Sequence, residues 1–208
     1  MKKIMFNDRY GLTQAVLEGR KTMTRRLFTA NINDMNVINK SLNDEKENLN
    51  ENHMAIINKY AHYKIGEIIA IAQPYKDIAE DRYFINQCLA NEQRPESMKY
   101  EKGWNNKMFV AAYYMPHRIR ITEIKVEKLQ DISEEDCLKE GIQEVFPYID
   151  RNPDDKVKTF QYFDHAKKRL HKWSPANECF GRVIDAINGK GTWDKNPWVF
   201  AYTFKLED

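Results

Sequence analysis

The chain has 208 residues, 42% of them hydrophobic and 12% aromatic, with a formal net charge of +2. That length suits one domain carrying large insertions rather than two full domains. No apolar run approaches the roughly 20 residues of a membrane helix, and the near-neutral balance excludes a chain that is basic throughout, so any cationic site has to be local.

The opening "MKKIMFNDRYG" lacks the apolar stretch of about 7 to 15 residues that a signal peptide needs, so a cytoplasmic protein with no membrane partner is expected. Within it, "KKIMF" reads as a short strand. Asn7 or Asp8 can cap a helix that places Leu12, Ala15 and Val16 on one face, and Gly19 stops it. Lys21 to Arg26 then emerge as a turn or strand. Residues 31–58 are rich in asparagine and charge and read as an insertion, helical in part.

"KIGEIIAIAQPY" (64–75) is a buried-strand pattern that Pro74 ends. The polar segment 77–106 reads as a second insertion, helical around 79–91. Residues 107–130 predict two strands, one with Phe109, Ala111 and Tyr113 alternating, the other with Ile119, Ile121, Ile124 and Val126 inward. The change of parity there predicts a bulge near Thr122.

Ser133 and Asp136 suggest a capping box for "EEDCLKE", which Gly141 stops, and residues 144–173 read as a third insertion. Ser174 as cap and Pro175 at the first helical position open a helix with Val183, Ile184 and Ile187 on one face, ending at Gly189. "GKGTWDKN" reads as a loop and "PWVFAYTFKLE" as the closing strand. Strands interspersed with short helices, without βαβ regularity or repeats, predict an α+β fold on a small mixed barrel.

Cys88, Cys137 and Cys179 are odd in number and far from any CxxC, so they read as small core residues or idle thiols, without a disulfide frame or a zinc site. His117, His165 and His171 lack metal-ligand spacing. No HExxH, P-loop or GxGxxG occurs, so no cofactor is expected.

The chemically distinctive stretch is "GRKTMTRR" (19–26). A lysine that is partly buried among Arg20, Arg25 and Arg26 has its ammonium form disfavoured and can serve as a base, which makes Thr24 a candidate nucleophile. On a regular strand Lys21 and Thr24 face opposite ways, so their cooperation needs a turn-like backbone. The same run on a solvated turn would merely keep the surface charged. Glu140, in the last turn of its helix, faces the negative end of the macrodipole, which disfavours its charge and suits a proton shuttle; a solvated carboxylate offset by Lys139 is the plainer reading. Among the aromatics, Trp198 reads as packed, while Trp193, in a glycine-rich loop, reads as a ligand contact or a lid over the core.

Gly19, Lys21, Thr24 and Arg26 match the spacing of the ASCH domain signature: a glycine, a lysine two positions later, an acid or threonine three further, and a basic residue two beyond. Together with "LQDISEEDCLKEGI" (129–142) and "DAINGKGTWDKNPWVFAYTF" (185–204), the chain resembles ASCH-type proteins of bacteriophages, prophages and gut bacteria. The resemblance covers the first 30 residues, the strands near 64–75 and 107–130, and the two later blocks; 31–58, 77–106 and 144–173 lie outside it.

It implies a PUA-like mixed β-barrel with short flanking helices, whose cleft binds RNA or a modified nucleoside. One bacterial branch hydrolyses the acetyl amide of N4-acetylcytidine with the lysine and threonine of this motif and a glutamate after the middle strands. These fall on Lys21, Thr24 and Glu140, with Thr24 in place of the family's common acid. Three readings follow: an amidohydrolase with Arg26 or another cation at the oxyanion; a non-enzymatic RNA-binding module in which Arg20, Lys21, Arg25, Arg26 and Arg118 hold phosphates; or a phage-related structural or assembly protein. None of them fixes an oligomeric state.

Overall fold

The computed structural model describes residues 1–28, 49–149, 156–173 and 175–207. In chain order the elements are β1 (Lys3–Ile4), α1 (Leu12–Leu17), β2 (Met23–Leu27), α2 (Leu49–Tyr60), β3 (Ile68–Ile71), α3 (Arg82–Ala90), β4 (Arg118–Lys128), α4 (Glu134–Lys139), β5 (Gln143–Ile149), β6 (Lys156–Asp164), β7 (Arg169–Trp173), α5 (Ala176–Asn188), α6 (Thr192–Lys195) and β8 (Trp198–Glu207). The architecture is mixed α+β, with a five-stranded sheet in the order β1-β3-β4-β8-β2 and a three-stranded antiparallel sheet β5-β6-β7. In the larger sheet only β1 and β3 run parallel.

The inner face of the five-stranded sheet holds the first core. Ile69, Ile71, Ile119, Ile121, Ile124, Val126, Phe200, Tyr202 and Phe204 meet there, with Ile56 and Ile57 of α2 against them. The change from odd to even positions along β4 has the expected cause: its register against β8 shifts between Ile121 and Glu123. On the other side of β3, Ala70 and Ala72 pack against residues from 75 to 115, including Phe84 and Tyr114. On the other side of β8, Val199 packs against Phe180 and Val183 of α5 and Phe160 of β6.

The barrel expected from the sequence is, among the described residues, an open ladder. β1 and β2 occupy its two edges and do not pair with each other. A side chain spans them instead: the Arg26 guanidinium donates to the Met5 carbonyl at 2.7 Å.

Several local expectations are corrected. Residues 107–130 hold one strand, β4, rather than two, because Phe109 and Tyr113 lie outside while Val110 and Tyr114 are buried. A spacing of four buries one face of a helical turn, and Lys107–Phe109 and Ala112–Tyr114 are 3-10 turns. Residues 144–173, read as a polar insertion, contain most of the three-stranded sheet. Its polar composition follows from presenting one face to solvent while Phe160 enters the core. The loop "GKGTWDKN" contains α6, and Pro175 is the N-cap of α5 rather than its first helical residue. Ser174 and much of 31–58 lie outside the described residues, whereas α2 supplies the helical part of that segment. Asn7 caps a 3-10 turn, Asp8–Tyr10, before α1 begins. Ser133 accepts the Asp136 N–H as a cap should, but the Asp136 carboxylate turns to Arg25 and Lys139.

Candidate active site

Two stitches bring the motif of residues 19–26 against the end of α4. Gly19, at φ +72°, turns the chain out of α1. The Lys21 amide then donates to the Ala15 carbonyl and the Thr22 amide to the Lys139 carbonyl, both at 2.9 Å. Gly141 turns the chain at the end of α4 in a conformation that L side chains rarely adopt. Its φ is +103°, and a Cβ there would stand 3.3 Å from Leu12 and 3.7 Å from the Lys21 Cβ. Lys21 and Glu140, 119 positions apart, thereby meet.

The Lys21 ammonium is fully enclosed. Nζ donates to Glu140 Oε2 at 2.6 Å, to the Glu140 carbonyl at 2.8 Å and to the Met23 carbonyl at 2.7 Å, which occupies all three of its donors. The two side chains are 1% and 5% exposed. Glu140 Oε1 takes Arg25 Nη1 at 3.2 Å, and Arg25 also binds Glu127 and Asp136. Two cations thus face three carboxylates in a buried cluster. Burial lowers the Lys21 pKa below its ordinary 10.5, and the Glu140 carboxylate acts in the opposite direction. Arg26 and Arg25 also lower it, with a smaller part than burial.

Thr24 follows on β2, opposite Tyr202 of β8, and is 5% exposed. Its side chain forms no hydrogen bond among the described residues. Thr24, Lys21, Arg25, Arg26 and Glu140 all line one cavity of about 610 Å³. The cavity lies where the larger sheet is left open, between residues 5–10, which follow β1, and residues 21–27. Tyr10, Phe180, Val183 and Ile184 supply an apolar wall, and Lys107 and Asn188 further polar groups. Lys107 fixes the segment after β1 by donating to the Phe6 carbonyl and to Asp8.

The remaining sequence candidates lie elsewhere. Gly19 is in an exposed turn outside the cavity wall, and Arg20 pairs with Glu18 at 2.6 Å on the surface. Arg118, on β4, lies 4.7 Å over the Tyr83 ring and donates to its hydroxyl. Trp193 packs on α5: its ring stands edge-on to Phe180, and a Cβ at Gly181 would come within 2.6 Å of it. It is the lid over the core, outside the cavity that holds Lys21.

Sequence reasoning missed Tyr10, Lys107 and Tyr162 as wall residues, since each reaches the cavity only through the tertiary fold. The apolar face of α5 did carry a signal. Ile187, three positions beyond Ile184 on that face, is 37% exposed because it borders the cavity instead of the core. Among the described residues no group of three or more His, Cys, Asp or Glu side chains converges as a metal site requires, and no helix is long and apolar enough to cross a membrane.

No protein-family model matches the chain, and neither a curated protein nor a solved structure is significantly similar to it.

Proposed function

We propose that this chain is an ASCH-type protein with an opened form of the PUA-like barrel, whose cavity takes a modified nucleoside, free or within RNA, and hydrolyses an amide of the N4-acylcytidine type. One observation carries the reading: the buried Lys21–Glu140 pair, at 2.6 Å, lines the same cavity as Thr24. The apolar and polar side chains that line that cavity also suit a planar heterocycle with a polar substituent.

The proton moves along the short contact from Lys21 to Glu140, leaving an amine. Thr24 Oγ attacks the amide carbonyl carbon while that amine takes the hydroxyl proton. Glu140 gives its proton to the leaving nitrogen as the C–N bond breaks, and Arg26 faces the oxyanion. Water then cleaves the threonine ester, releasing the carboxylic acid and restoring the hydroxyl.

The cations favour this over a site that only grips phosphate, because Lys21 and Arg25 are engaged by carboxylates and Arg20 by Glu18. The test is chromatographic conversion of N4-acetylcytidine to cytidine. Wild-type protein converts it, and Thr24→Val, which keeps the side-chain shape, loses turnover by about a hundredfold or more while remaining folded by circular dichroism. Equal turnover by the variant removes Thr24 from the mechanism.

A further inference from the structure

The Lys21–Glu140 pair is flanked by a third charge. Arg25, whose side chain is 1% exposed, lies on the second oxygen of the Glu140 carboxylate, and its guanidinium is divided among three acids. Nε and Nη2 meet Oε1 of Glu127, on β4, at 2.8 and 2.6 Å, and Nη2 meets Oδ2 of Asp136, on α4, at 3.1 Å. The contact with Glu140 Oε1 is the longest of these, at 3.2 Å. Its nitrogen, Nη1, also reaches the Met23 sulfur at 3.3 Å.

Glu127 and Asp136 are 19% and 17% exposed and remain in reach of water, whereas Glu140 is enclosed. Desolvating so many ions costs much of what their attraction returns, so stability alone does not account for the cluster. Its effect on the pair has a definite sign. A cation beside Glu140 favours the ionised carboxylate and works against the proton transfer from Lys21 that the reaction requires. Two acids that take the shorter contacts of Arg25 offset that pull. The other charges nearby do not: Arg26 acts on Lys21 in the same sense as Arg25, and Lys139 is turned to Glu135 and Asp136. The thiol of Cys137 is neutral, pushed up to about 12 by burial.

We propose that Arg25, Glu127 and Asp136 are positioning residues that set where the shared proton of the Lys21–Glu140 pair resides: Arg25 opposes a proton on Glu140, and Glu127 and Asp136 restrain Arg25. This rests on the function proposed above and adds to it the groups that tune its acid.

The experiment measures kcat/KM for N4-acetylcytidine against pH in wild-type protein, Glu127→Gln, Asp136→Asn and Arg25→Gln. Removing either outer acid turns more of the Arg25 charge on the pair, so the limb on which activity falls moves to lower pH. Arg25→Gln removes a cation and moves the limb the other way, by about one pH unit or more. Opposite displacements are the readout, because damaged packing lowers kcat without ordering the limbs by charge. Glu127 and Asp136 are partly open to solvent, which keeps the test valid if Arg25→Gln fails to fold. A limb that stays in place or moves upward in both acid variants overturns the assignment and leaves the proposed function standing. Titration of the Lys21 Nζ resonance by nitrogen magnetic resonance follows the same proton without turnover, and the same order of shifts is expected. Protein that shows this order but does not convert the nucleoside overturns the proposed function and retains the charge balance; absence of both overturns both.

Discussion

Lys21 is held by opposed forces, and its protonation sets the chemistry it can perform. Burial disfavours the ammonium, whereas Glu140 and two carbonyls favour it. On balance its pKa falls below 10.5. The unfolded chain therefore binds this proton more tightly than the folded one, and stability contributed by this residue rises with pH between the lowered value and 10.5. The reaction proposed above uses the one proton that Lys21 shares with Glu140, and deprotonation of the pair leaves Glu140 with none to give the leaving nitrogen. We predict that kcat/KM falls with rising pH along a limb centred below 10.5, measured on N4-acetylcytidine with buffers of constant ionic strength. A limb at the ordinary lysine value would mean that Lys21 is not the titrating group.

Among the elements, the three-stranded sheet is attached to the cavity by a small set of polar contacts. Arg9, which lines the cavity, donates from Nε and Nη2 to the two oxygens of Asp164 at 2.9 and 2.7 Å, and the His165 amide donates to the Arg9 carbonyl at 2.7 Å. The Arg9 fork holds the Asp164 carboxyl well below its ordinary 3.8. A carboxylate depressed in the folded state stabilises fully above its unfolded pKa, and that stabilisation disappears as pH falls through the folded value. Asp164→Asn is therefore expected to lower Tm by an amount that stays constant from neutral pH down to about 4 and narrows only in stronger acid. A difference that vanishes already near neutrality would show that this ion pair does not hold the sheet.

The same scale shows what a linear reading can and cannot see. β3, β4 and β8 were legible because β-branched and aromatic residues alternate along them, and even the bulge at Thr122 appeared as a change of parity. Residues 107–115 misled because Phe109, Ala111 and Tyr113 alternate by chance, while burial follows Val110 and Tyr114. The sheet within 144–173 was hidden by its polar outer face.

At the scale of the molecule, the cavity exists because β1 and β2, at opposite edges of one sheet, approach without pairing. The chemical types at the site could be read locally: Lys21, Thr24 and Glu140 stood out by spacing, resemblance or misplacement. Their meeting could not, since it depends on a contact across 119 positions and on the turn at Gly141. Calorimetric titration of N4-acetylcytidine into Thr24→Val protein, run beside turnover by the wild type, tests the central claim most directly. The account predicts saturable binding without product in the variant and conversion to cytidine by the wild type. Folded wild-type protein that neither binds nor converts the nucleoside would contradict it.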